Sequence, residues 1–188
     1  MAAAVEPRQP VNDACLRMTL AYIGLGANLG TAHGGPRSTL DAAIGDLALV
    51  PHTRIVAVSP YYQTAPVDAS GPDYTNAVVA LDTTLDAASL LAVCLSIEAL
   101  HGRLRPALPD AKPAEKNPPR TLDLDLLLHG DSVINTPYLT LPHPRMHQRA
   151  FVLAPLNELA PGLIIPGHGR VSDCLETVGG QGFSRISQ

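Results

Sequence analysis

Residues 120–128 read Arg-Thr-Leu-Asp-Leu-Asp-Leu-Leu-Leu, an apolar run that carries one guanidinium, Arg120, and two carboxylates, Asp123 and Asp125. In an extended strand alternate side chains face opposite ways, so Leu122, Leu124, Leu126 and Leu128 share one face and Thr121, Asp123, Asp125 and Leu127 the other. The two aspartate Cα atoms are then roughly 7 Å apart, and their carboxylates can converge on shared cations. Each anion makes ionisation of the other costlier, so the shared face asks for Mg²⁺, a bound proton or a close arginine. The plainer alternative is that the aspartates mark the wet face of an antiparallel sheet. The strand alone leaves both readings open.

Its neighbours in sequence bear on the choice. Arg103, Arg105, Lys112, Lys116 and Arg120 crowd the stretch 103–120 against Asp110 and Glu115, in a chain of net charge −4. The overall acidity argues against general nucleic-acid binding, whereas a local basic segment facing an acidic strand suits a polyphosphate held with metal. His143, Arg145, His147 and Arg149 precede an apolar stretch and read as a solvated helix start. Tyr74 and Asn76 fall on a loop of turn formers, 64–76. They read either as a stacking surface with an amide for a heterocycle, or as a packed tyrosine and a turn asparagine. The glycines of Gly24-Leu-Gly-Ala-Asn-Leu-Gly30 permit close backbone approach, but their spacing departs from the dinucleotide fingerprint and no Lys-Ser/Thr completes a phosphate loop.

The elements that must position these residues follow from period and punctuation. A first strand over 19–25 runs into the glycine segment. A helix capped by Ser38 carries Leu40, Ile44 and Leu47, and a second strand over 54–64 ends or bulges at Pro60. A third strand covers 77–82. A helix over 85–101 puts Leu90, Cys94, Ile97 and either Leu100 or His101 on one stripe, with Gly102 at its C′ position. Glu98 in the last turn opposes the helix dipole and asks for a cationic or hydrogen-bonding partner. The five prolines of 106–119 make an exposed, partly stiff loop that delivers Arg120 to its strand. A tight turn at Gly130-Asp131 returns through 133–135 as a hairpin, which argues against a purely parallel sheet. Pro155 breaks the apolar helix after Arg149 into two pieces, and the glycine-rich tail after Pro161 carries no chemistry-bearing pattern and is partly mobile. At 188 residues one domain over 19–188 is expected behind a flexible lead-in, 1–18. No apolar run reaches the ~20 residues of a membrane helix, and Cys15, Cys94 and Cys174, unpaired by pattern, fit reduced thiols in a cytoplasm.

Over roughly 21–166 these features resemble the 6-hydroxymethyl-7,8-dihydropterin pyrophosphokinases of folate biosynthesis. The segments that carry the resemblance are Ala21 to Gly30, Asp73 to Ala77, Ile97-Glu98 with Gly102-Arg103, Pro119 to Asp125, and Leu141-Pro-His143 through Phe151. The resemblance implies an α+β fold, a ferredoxin-like αβ sandwich of mainly antiparallel sheet packed with helices. It implies transfer of the β,γ-pyrophosphate of ATP to the pterin hydroxymethyl group, leaving AMP. By the same resemblance Asp123 and Asp125 hold two Mg²⁺ ions, and Arg103 and Arg120 are catalytic. Glu98, Arg105, Arg120, His143 and Arg149 serve the ATP site. Tyr74, Asn76 and Phe151 form the pterin pocket, completed by the backbone of Thr64, Ala65, Pro66 and Val67. A monomeric cytoplasmic enzyme without nucleic-acid or membrane partners is expected. The competing reading is another two-metal nucleotide phosphotransferase or hydrolase that uses the same aspartates without a pterin. The proline-rich 106–119 loop is a departure from the family, as is Asn117, where a tryptophan is common, so the lid contacts of this chain differ.

Overall fold

The computed structural model describes residues 17–66, 71–103 and 120–187. Val67, Arg105 and Asn117, the lead-in up to residue 16 and the loop 106–119 lie outside the described residues. The first half comprises β1 (Thr19–Ala27), α1 (Pro36–Ala48), β2 (Thr53–Val58), β3 (Tyr62–Thr64), β4 (Tyr74–Thr83), α2 (Ala87–Leu100) and β5 (Asp123–His129). Then follow β6 (Ile134–Asn135), β7 (Thr140–Leu141), a single 3₁₀ turn (Met146–Gln148), α3 (Ala150–Leu159), β8 (Ile164–Ile165), β9 (Gly169–Arg170), α4 (Val171–Thr177) and β10 (Ser184–Arg185). Among the described residues no helix is long and apolar enough to cross a membrane.

The main sheet runs β10-β3-β4-β1-β5, with β2 also on β4, and its pairings are antiparallel. β2 and β3 lie one after the other along β4, Val58 opposite Val79 and Tyr62 opposite Asn76. The break between them falls at Ser59-Pro60, as the missing proline N–H predicts. Ser59 bridges the gap: its N–H donates to the Val78 carbonyl at 2.9 Å and its Oγ accepts from the Val78 N–H at 2.9 Å.

Both faces of this sheet are covered. Leu40, Ala43 and Leu47 of α1 and Leu90, Cys94 and Ile97 of α2 bury Ile23, Leu25, Val79, Leu81, Leu124 and Leu126 on one face. On the other, Val152, Leu153 and Leu156 of α3 and Val171 and Cys174 of α4 pack on Tyr22, Val78, Ala80, Leu127 and Leu128. The aspartate face of β5 is therefore no wet sheet surface. Of the two candidates for the last place on the α2 stripe, His101 is 5% exposed and Leu100 78%. Gly102 (φ +79°) ends the helix, with the Arg103 N–H donating to the Glu98 carbonyl at 3.0 Å and turning Arg103 toward β5.

Several expectations are corrected by the fold. β1 does not turn at Gly24 but continues to Ala27, because β4 and β5 pair it on both sides. α1 begins at Pro36 after an extended Gly35, without a Ser38 cap, since proline at the first helical position pre-sets the backbone. Tyr74 and Asn76 belong to β4, drawn into the ladder opposite Thr64 and Tyr62. Ile134–Asn135 pairs with β7 rather than back onto β5, whose Leu127 carbonyl instead accepts the His143 N–H at 2.9 Å. A register shift beside Tyr22 and Ile23 moves Leu128 to the same face as Leu127. Pro155 stays inside an unbroken α3. Its cost of about 3 kcal/mol is offset by burying Val152, Leu153 and Leu156, each worth roughly 1.5–3 kcal/mol. The tail is also no bystander, for β10 extends the sheet from β3.

Candidate active site

Register partners in an antiparallel sheet share a face. On the α3 face Gly26 lies between Asn76 of β4 and Asp123 of β5, and Gly24 lies between Val78 and Asp125. Tyr62 and Thr64 continue that face beyond Asn76 and Tyr74. The missing side chain of Gly26 leaves a trough at the centre of the sheet, where a Cβ would stand 3.2 Å from Asn76 Oδ1, and the Leu127 side chain closes it beside Gly24, 3.4 Å from where a Cβ there would be. The trough opens into a cleft of about 700 Å³.

The cleft gathers most of the residues expected from sequence. Thr64, Ala65, Pro66, Tyr74, Asn76 and Phe151 line it. Arg103, Arg120, Asp123, Asp125, His143 and Arg149 line it as well. Buried Asn76 donates from Nδ2 to Thr64 Oγ1 at 3.0 Å, which fixes the amide and leaves Oδ1 toward Gly26 and the trough. Arg149 Cζ stands 5.4 Å from the centroid of the Phe151 ring. Glu98, its side chain 1% exposed, sits behind this lining. It accepts from Arg103 Nη1 at 2.5 Å and from the Leu124 N–H at 2.8 Å, the partners its place at a helix end demands.

The two aspartates differ sharply. One oxygen of Asp123 takes Arg103 and the other takes Arg120. Burial alone would raise its pKa, but the two guanidiniums prevail and hold it below the usual carboxylate range. Asp125 is approached by His143 Nε2 at 4.0 Å and Arg149 Nη1 at 3.9 Å, both beyond hydrogen-bond reach. Burial, and then the charge of Asp123, push its pKa up to about 6. His143 is pushed down to about 4 by burial and by Arg149 and Arg145, so at neutral pH it is an uncharged hydrogen-bonding group. An acid pair that draws in two arginines and still leaves one carboxylate under-satisfied fits added positive charge. Among the described residues no group of three His, Cys, Asp or Glu converges on one point. Two carboxylates facing an open cleft suit Mg²⁺, which completes its shell with water and phosphate oxygens, better than a metal caged wholly by protein.

Residues that sequence reasoning gave no role also appear. Gly24 and Gly26 read from sequence as a turn segment permitting close backbone approach, but pairing on both sides makes them strand-interior glycines, which often mark close approach of a ligand. Asn28, 3% exposed, accepts the Arg120 N–H on Oδ1 at 2.8 Å and donates from Nδ2 to the Pro72 carbonyl at 3.2 Å. Arg120 is thus tied to the end of β1 through its backbone. Gln148, Arg145 and Gln181 line the cleft too, and a lone glutamine in a glycine-rich tail carries no sequence pattern that would single it out.

The family profile described as 7,8-dihydro-6-hydroxymethylpterin-pyrophosphokinase (HPPK) matches residues 22–161. A 2-amino-4-hydroxy-6-hydroxymethyldihydropteridine pyrophosphokinase of Pseudomonas aeruginosa is 39% identical over 166 residues, covering 88% of this chain and 95% of that protein. One of the same description from Methylorubrum extorquens is 39% identical over 170 residues, covering 90% and 99%. Among solved structures, the wild-type Plasmodium falciparum HPPK-DHPS with pteroate aligns over 86% of this chain with a TM-score of 0.63 at 12% identity. That likeness concerns the fold, and this chain spans 44% of the longer one.

Proposed function

The chain belongs to the 7,8-dihydro-6-hydroxymethylpterin-pyrophosphokinase family, and from that premise we propose how its side chains divide the work. The reaction is transfer of the pyrophosphoryl group of ATP to the hydroxymethyl group of 6-hydroxymethyl-7,8-dihydropterin in folate biosynthesis, with AMP as the other product. The observation that carries the division is the row Asn76, Gly26, Asp123, in which a side-chain-free trough separates an amide from an acid pair.

In this reading the pterin lies over Gly26, stacked between Tyr74 and Phe151. Asn76 Oδ1, fixed by the bond from its Nδ2 to Thr64, accepts from the amino edge of the ring. Thr64, Ala65, Pro66 and Val67 offer backbone groups to that edge. The hydroxymethyl group then points toward Asp123 and Asp125, and the triphosphate lies along Arg120, His143 and Arg149, with Arg105 joining from its loop. Arg103 and Arg120 move from the carboxylate onto phosphate oxygens as charge shifts during in-line transfer, a task suited to the planar guanidinium fork. Glu98, assigned by resemblance to the ATP site, acts here through Arg103, whose direction it sets. Asp123 and Asp125 would hold the two Mg²⁺ ions, which when bound neutralise phosphate charge and lower the pKa of the attacking alcohol. Neutral His143 donates or accepts without adding charge. A ferredoxin-like core is part of the proposal, supported by the β1-α1-β2/β3-β4-α2-β5 order around an antiparallel sheet. So is a single domain over 19–188, a monomer in the cytoplasm, a compartment that the free thiols of Cys94 and Cys174 support.

Incubation with ATP, Mg²⁺ and the hydroxymethyl pterin should yield AMP and the pyrophosphorylated pterin. ATP turnover indifferent to the pterin would favour a two-metal hydrolase instead. The trough makes a sharper test. Gly26→Ala should weaken pterin binding by about tenfold or more while the sheet still folds, because the new Cβ stands against Asn76 Oδ1 and fills the floor. Calorimetric titration with unchanged pterin affinity would show that the ring does not use this floor.

A further inference from the structure

Arg149 is a single extended residue (φ −122°, ψ 108°) between two helical pieces, the 3₁₀ turn Met146–Gln148 and α3. It provides no side-chain cap for α3, so the first N–H of that helix, on Ala150, needs a partner from elsewhere. The tail supplies it. Gln181 Oε1 accepts the Ala150 N–H at 2.9 Å, and Gln181 Nε2 donates to the Gln148 carbonyl at 2.9 Å. One amide therefore brackets Arg149 on both sides, as a neighbouring strand would.

The competing conformation is easy to state. Were Arg149 to relax into the helical region, the 3₁₀ turn and α3 would fuse, the fused helix would itself satisfy the Ala150 N–H and Gln148 carbonyl, and the Arg149 and Phe151 side chains would swing about the axis. Gln181 is itself well anchored for its task. Its N–H donates to the Val178 carbonyl at 3.0 Å. Downstream, Phe183 meets the Tyr62 ring edge-on at 5.8 Å, and Ser184 and Arg185 pair with Gln63 and Tyr62.

We propose that Gln181 is a positioning residue for the transfer reaction: its amide holds Arg149 extended so that the guanidinium reaches the triphosphate and Phe151 faces the pterin. The inference rests on the roles given above to Arg149 and Phe151, and it makes the C-terminal tail a working part of the site.

Two variants test it. Gln181→Met keeps the size and removes both bonds. Gln181→Glu keeps the acceptor for Ala150, where a carboxylate at a helix N-terminus is favourable, but cannot donate to Gln148. In Gln181→Met the dissociation constants for a non-hydrolysable ATP analogue and for the pterin should each rise about tenfold. In Gln181→Glu the melting temperature should stay near wild type while the affinity for the uncharged pterin still falls, a loss that neither a purely structural role nor repulsion between the new carboxylate and a polyphosphate produces. Wild-type affinities in both variants overturn the proposal, whatever happens to the melting temperature. Because these constants are measured without turnover, they decide the role of Gln181 even where the wild-type chain makes no AMP, the result that would defeat the functional reading instead.

Discussion

Asp125→Asn should lower Mg²⁺-dependent turnover by at least about 10³-fold while leaving the metal-free fold as stable as wild type or more so. The two halves of this expectation have one cause. Asp125 is the carboxylate that the protein itself leaves under-satisfied, with His143 and Arg149 near 4 Å and its pKa pushed up to about 6 by burial and by Asp123. In the folded chain without metal it takes up a proton that the unfolded chain, titrating near 3.8, does not. Its contribution to stability is therefore complete below about 3.8 and is lost as pH rises through about 6. Asparagine removes the charge that causes that slope, and with it the proposed metal ligand. Because His143, pushed down to about 4, contributes a rising limb over nearly the same range, the test is the difference: the stability of the metal-free variant relative to wild type should grow as pH rises from about 3.8 to about 6. Chelation of the metal should likewise stop turnover without unfolding the chain, because the two buried clusters flanking the sheet do not include the aspartates. A variant that keeps near-wild-type turnover would remove Asp125 from the metal site, and one that fails to fold would show that the fold itself needs the charge.

The contrast between the aspartates marks where sequence stops being informative. Alternation placed Asp123 and Asp125 on one face correctly, and the helix-end position of Glu98 correctly asked for a cation. Period and punctuation also located α2, its Gly102 stop and the break at Pro60, since each rests on a local rule that the fold respects. Rules of equal generality misplaced Tyr74 and Asn76 in a loop, because the partners that make them strand, Tyr62 and Thr64, are distant in sequence terms from any pattern around them. The aspartate face looked equally consistent with solvent because the helices that cover it, α3 and α4, come later in the chain and carry no mark of which face they take. Gly24 and Gly26 were visible as glycines, yet only pairing on both sides reveals that they lie within a strand, with Gly26 flooring a trough, rather than form a turn. Asn28 and Gln181 act on the backbone of Arg120 and around Arg149, and contacts of that kind leave no trace in residue type.

Arg103→Ala and Arg120→Ala should both lower kcat by about 10²–10³-fold, with pterin affinity held within about threefold, yet only the first should cost stability. Both guanidiniums bind Asp123, and in the proposed mechanism both follow charge onto the phosphates during transfer. Their other attachments differ. Arg120 has a side chain 31% exposed and its backbone is held by Asn28, so truncation leaves Asp123 paired with Arg103 and the chain in place. Arg103 also binds Glu98, whose side chain is 1% exposed, and truncation there weakens the compensation of a buried carboxylate. That change should cost about 1–3 kcal/mol in denaturant unfolding, against less than about 1 kcal/mol for Arg120→Ala. Glu98→Gln in the Arg103→Ala background should recover much of the stability and none of the turnover, since it removes the buried charge without restoring a guanidinium to the phosphates. Equal stability losses in the two arginine variants would mean that Glu98 does not depend on Arg103. A loss of pterin affinity as large as the loss of kcat would move that arginine from transition-state stabilisation into ground-state binding.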